Sequence, residues 1–170
     1  MPEDKIDITH ILALILNRIG IDDFNKIKDD ISYRKIIQKS IYILQLKEFD
    51  FNLGYRYNLY LAGPYSPDLS EDYYNIVENS SYYNNFVNHL KFDEKTEAAL
   101  DRFNQIFSGN YALVECFATI HFLKTYSFSY CADYIKSEEV MKYFFKIKPQ
   151  YKDQPEIVDQ ATALFDSIQS

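Results

Sequence analysis

Apolar residues recur along most of this chain at helical spacing, and one short stretch near its middle alternates instead. From Ile6 to Ile19 the residues Ile8, Leu12, Ile15, Leu16 and Ile19 fall on one stripe, widened by Ile11 and Leu14 until the helix is nearly apolar all round. Gly20 is placed to stop it. Asp22 to Lys28 reads as a short polar helix. Tyr33 to Leu46 follows as a strong helix, with Ile36, Ile37, Ser40, Ile41 and Leu44 on one face and Ser32 as its N-cap. Gly54 then punctuates, and residues 55–61 alternate aromatic or apolar with polar side chains, the pattern of a half-buried strand.

Gly63-Pro64 ends that strand. Ser66-Pro67-Asp68 has the order N-cap, first-turn proline, first-turn acid, which predicts a helix from Pro67 to about Glu78. Phe86 to Phe92 alternates again and is expected to pair with residues 55–61 as a small antiparallel ribbon. Beyond it the pattern is helical. Asp93 caps a helix to Phe107 that Gly109 closes. Tyr111–Tyr126 forms a central helix. Ser137 caps a helix from Glu138 to Lys146, and Asp153 caps a last one from Pro155 to Ile168. The expected fold is mostly α (α+β): a helical domain with one small ribbon and a winged-helix-like N-terminal half. Residues 1–92 supply helices plus ribbon and 93–170 supply helices, all within a single domain.

Composition sharpens this picture. With 47% hydrophobic and 17% aromatic residues the 170-residue chain can bury a core. Sixteen tyrosines and no tryptophan mean many rings with an apolar body and a polar tip. Net charge is −7, and because phosphate neutralisation needs clustered Lys and Arg, the balance argues against a general nucleic-acid binder. No apolar run approaches the ~20 residues that span a bilayer, and the acidic start differs from a signal peptide. A cytoplasmic protein with no membrane association is the expectation. Cys116 and Cys131 lie apart and read as reduced thiols.

Catalytic chemistry finds little support. The Gly63-Pro64-Tyr65-Ser66 turn has one glycine, and its proline has no N–H to offer a phosphate. His10, His89 and His121 have neither a second histidine at helical spacing nor a cysteine at zinc spacing, so no metal or cofactor is expected. Asp68, Glu71 and Asp72 crowd a first helical turn, where acids complement the helix dipole. Glu115 stands among apolar residues of the central helix, which also carries His121 on an apolar face. Both read as buried polar groups, with Arg56 or Lys39 as candidate mates for the carboxylate.

Two stretches carry a resemblance. Residues 34–45 (RKIIQKSIYILQ), then Gly54-Tyr55, then residues 60–69 (YLAGPYSPDL), resemble the YwgA-like proteins and, more distantly, Panacea-domain (SocA-like) antitoxins. Residues 114–123 (VECFATIHFL) and 147–151 (IKPQY) fit the first of these, while Ile36 and Ile37 depart from the Leu-Gln of many relatives. The resemblance implies no catalytic residues. It implies a non-enzymatic interaction module, antitoxin-like or defence-regulating, whose partner is another protein such as a basic toxin or effector. The surface expected to meet it comprises Tyr57, Tyr60, Gly63, Pro64, Tyr65, Ser66, Asp68, Asp72, Tyr73 and Tyr74, although the same rings are equally suited to packing between ribbon and helix. A second reading is a winged-helix DNA-binding regulator in which Arg34, Lys35 and Lys39 touch phosphates. A third is an enzyme of unrecognised type resting on Glu115, His121 and the Gly63 turn. Oligomeric state is not legible.

Overall fold

The computed structural model describes residues 5–60, 63–107, 109–126 and 139–169. The fold is mostly α with one two-stranded antiparallel sheet. Helix α1 (Ile8–Arg18) begins at Asp7, whose carboxylate accepts the N–H groups of Thr9 and His10, and it ends at Gly20, where φ is +89°. A short α2 (Lys26–Asp29) leads into α3 (Ile31–Leu44). The pattern pointed to Ser32 as the cap of α3. The cap is instead Asp30, whose carboxylate accepts the Ser32 N–H at 2.8 Å and so draws Ser32 into the first turn.

The alternating stretch forms strand β1 (Asn58–Tyr60), shorter than the expected residues 55–61. It pairs with β2 (Gly63–Tyr65), in the register Asn58–Tyr65, Leu59–Pro64 and Tyr60–Gly63. The expected partner, residues 86–92, is not a strand: Ser80–His89 is helix α5. Tyr83 and Val87, four residues apart, are its buried positions, and His10 of α1 lies edge-on to Tyr82, Tyr83 and Phe86. A helix presents those three rings on one side, whereas a strand would turn Phe86 away from Tyr83. Helix α4 (Pro67–Glu78) starts as the sequence predicts, with Ser66 Oγ accepting the Leu69 N–H and Pro67 in the first turn. Then come α6 (Glu94–Phe107), α7 (Tyr111–Tyr126) and α8 (Val140–Ile147), a 3-10 turn at Pro149–Asp153, and α9 (Pro155–Gln169). Asp93 caps α6 through the Thr96 N–H. The Ser137 cap lies outside the described residues.

Helix α7 is the axis. Ten of the eleven residues from Leu113 to Leu123 are buried, Glu115 being the exception, so every side of it is covered, by α3, α6, α8, α9 and β2. A helix apolar all round must be enclosed in this way. The core is one contiguous cluster from Leu12 to Ala161. Among the described residues no single helix is long and apolar enough to cross a membrane.

Strand β2 reaches α7 at Gly63, where φ is +104°. A Cβ there would lie 2.5 Å from Thr119 Oγ1 and 3.4 Å from Lys39 Cε. Gly63 is thus required twice, for its dihedral and for its lack of a side chain. Gly20 has a similar dihedral and open space around it. Gly20→Ala should cost about 1–2 kcal/mol for left-handed backbone. Gly63→Ala should cost roughly 2–5 kcal/mol, because about 1–3 kcal/mol of overpacking adds to the same term. Urea unfolding of the two variants checks this, and equal costs would contradict the close approach to α7.

Candidate functional site

The polar residues of α3 that face inward hold the segment from Tyr55 to Ser66. The Gln38 side-chain amide grips the backbone of Ser66 on both sides, accepting its N–H at 2.8 Å and donating to its carbonyl at 2.9 Å. Two turns on, Gln45 does the same to Tyr55, with both contacts at 3.0 Å. These side chains supply the pairing that a neighbouring strand would give. Between them Tyr42 shares a 2.8 Å hydrogen bond with Nδ1 of His121 on α7. Burial pushes the His121 imidazole down to about 4, so the ring is neutral at physiological pH. It raises the Tyr42 phenol as well.

Lys39 belongs to this inward edge. It lies three residues after Ile36 and four before Ile43, on the buried side, and is only 2% exposed. It makes no hydrogen bond or ion pair with the described residues. Desolvation, reinforced by the positive charge of Lys148, brings its ammonium down to about 8, against a smaller opposing pull from Glu115.

The mate of Glu115 is Lys148, neither Arg56 nor Lys39. Lys148, 3% exposed, places Nζ 3.2 Å from one carboxylate oxygen, while the Tyr151 hydroxyl donates to the other at 2.9 Å. Both partners come from the segment after α8, more than thirty residues from Glu115, and no local pattern in the sequence pairs them. Of the two buried lysines near this carboxylate, only Lys148 pairs with it.

Lys39 also lines a pocket of about 220 Å³ between α3, β2 and α4. Gly63 backs it, and Gln38, Tyr65 and Tyr73 form its sides. Ser70 Oγ joins the two phenols, 2.7 Å from Tyr65 Oη and 2.8 Å from Tyr73 Oη. Ile31, Arg34, Lys35 and Tyr74 complete the lining, which contains no carboxylate among the described residues.

The ten residues expected to form one aromatic surface therefore divide. Tyr73 is 2% exposed, and Gly63, Pro64 and Ser66 are buried. Tyr57 is half-buried, its hydroxyl enclosed without a hydrogen-bond partner among the described residues and its ring edge-on to Tyr42. Tyr60 enters β1 through its backbone. Asp72 accepts the Tyr55 hydroxyl at 2.6 Å. Tyr65 is half-buried, and Tyr74, 41% exposed, and Asp68 face outward. The three cations proposed for phosphate contact also separate. Arg34 donates to the carbonyls of Ile27 and Lys28 at the end of α2, Lys39 is buried, and Lys35 is exposed. The sequence did carry a signal for Lys39, namely its position between Ile36 and Ile43.

Removing the charge of Glu115 would leave Lys148 enclosed beside a second lysine. Loss of one member of a buried pair costs about 3–5 kcal/mol, so Glu115→Gln should destabilise strongly, and Glu115→Gln combined with Lys148→Met should recover much of the loss. Denaturant midpoints of the single and double variants test this. A single variant as stable as the parent would show that the pair contributes nothing.

Comparison with protein-family models, with curated proteins and with solved structures finds no match to this chain.

Proposed function

We propose that the protein is a non-enzymatic interaction module that captures a basic partner protein on the outer stripe of α4. The observation that carries this is the setting of Tyr74. It is exposed beside the carboxylates of Asp68, Glu71 and Glu78, which share its face of the helix and make no ion pair among the described residues. Ile31, 59% exposed, extends the apolar part of the patch from α3 across the mouth of the pocket. Rigid aromatic rings anchor protein interfaces because they carry large area with few rotors. Unpaired acids around such an anchor steer a cationic partner and favour its encounter. The chain's net charge of −7 acts in the same direction. The more distant resemblance of residues 34–45 and 60–69 to Panacea-domain antitoxins, beside that to YwgA-like proteins, supports the same role, with a basic toxin or effector as the captured protein.

The test is affinity capture from lysate of the source cells, comparing the parent with a Glu71→Lys, Tyr74→Ala double variant. Both side chains are exposed, so the variant should melt with the parent. It should lose a salt-sensitive, basic partner by about tenfold or more, the scale of a hot-spot residue. Equal capture of the same basic protein by both would overturn the assignment to this face.

A further inference from the structure

We propose that the pocket between α3, β2 and α4 binds a small organic monocarboxylate with an apolar body, Lys39 serving as its counter-ion. The starting point is an imbalance. Lysine is almost never fully buried without a partner, because desolvating an ammonium is costly unless an anion or several acceptors compensate it. Lys39 is buried and has neither among the described residues. The nearby carboxylate, Glu115, is already held by Lys148 and Tyr151. Asp72, on α4, is engaged by Tyr55. The cluster therefore keeps an excess positive charge inside a protein that is negative overall.

The lining selects the kind of anion. Lys39, Arg34 and Lys35 contribute positive charge and no acid opposes them, yet Arg34 is occupied by two backbone carbonyls and Lys35 is exposed. A single available buried cation matches a monoanion. The phenol rings of Tyr65 and Tyr73 and the side chain of Ile31 offer apolar surface to the rest of the ligand. A phosphate group would call for a cradle of free N–H donors. Here the Gln38 amide is spent on Ser66 and Ser70, and Pro64 has no N–H. At about 220 Å³ the space is below that of drug-sized sites and fits a ring or branched chain bearing one carboxylate. The depressed ammonium, near 8, is what an unmet demand for an anion produces, and it should rise when one arrives.

This site adjoins the docking face, with Tyr74 and Ile31 at the border of both, but its test does not need the partner. Benzoate, benzamide and inorganic phosphate are titrated into the full chain and into Lys39→Met, followed by calorimetry and by NMR of 13C-labelled lysine side chains. Benzoate should bind saturably and raise the Lys39 titration midpoint. Its affinity should fall about tenfold or more in Lys39→Met, in line with a lost charged hydrogen bond. Benzamide and phosphate should bind at least tenfold more weakly than benzoate. The variant should melt at or above the parent temperature, since an uncompensated buried charge has been replaced by an apolar chain of similar length. No benzoate binding, equal binding by benzamide or phosphate, or undiminished binding by Lys39→Met would each overturn the proposal.

Discussion

Everything around the pocket depends on two glutamine side chains that stand in for a strand. Residues 55–60 and 63–66 have only the three-residue pairing of β1 with β2 as backbone pairing of their own. The backbone groups of buried Tyr55 and Ser66, at the two ends, would otherwise be left unmet, which folded proteins avoid. Gln45 holds the start of the segment at Tyr55 and Gln38 holds its end at Ser66, each by a paired donor and acceptor. Seven residues apart on one helix, the two amides lie on the same side, so α3 sets both the path of the hairpin and the point at which α4 begins. Gly63 completes the fit, because only a residue without a side chain can pass between Thr119 and Lys39.

This arrangement explains why a lysine is inside. With Gln38 fixed to the chain behind β2, the next residue of α3 is directed toward Gly63 and the interior rather than toward water. Its stem packs against the Gly63 backbone and lines the pocket. Glu115 and Lys148 satisfy each other nearby and leave Lys39 unmatched. An unpaired ammonium lowers stability, and proteins tend to keep such local conflicts where a ligand resolves them. The exposed stripe of α4 on the other side of Tyr74 has opposite charge. One small region thus offers a cationic pocket and an open acidic face, two surfaces suited to different ligands.

Much of the fold was legible because local chemistry and packing agree. Ser66-Pro67-Asp68 specifies a helix start by capping, proline preference and dipole at once, and α4 begins there. The all-round apolar pattern of residues 111–126 can only be an enclosed helix, and α7 has those bounds. Residues 86–92 misled because alternation over seven residues also satisfies part of a helical period. The long-range contact of Tyr82, Tyr83 and Phe86 with His10 favours the helix. At the candidate site, residues 34–45 include the glutamines that bind the backbone, but their side-chain pairing is a three-dimensional fact. Lys39 carried a charge that suggested solvent and a position that demanded burial, and packing of the adjacent isoleucines decided the outcome. Tyr73 shows the complementary case: its phenol could have served an interface, but Ser70 gives it an internal partner.

The central claim is that the Gln38 amide fixes the end of the hairpin and the start of α4. Native-state hydrogen exchange at the Ser66 amide measures it directly. In the parent protein this N–H should exchange only through large openings, at a rate close to that of core amides in α7. In Gln38→Leu its protection relative to those core amides should fall by about ten- to a hundredfold, as a lost buried hydrogen bond of about 1–3 kcal/mol implies. Ser66 protection that falls no further than that of α7 would contradict the account, because it would mean that the hairpin is held without the glutamine.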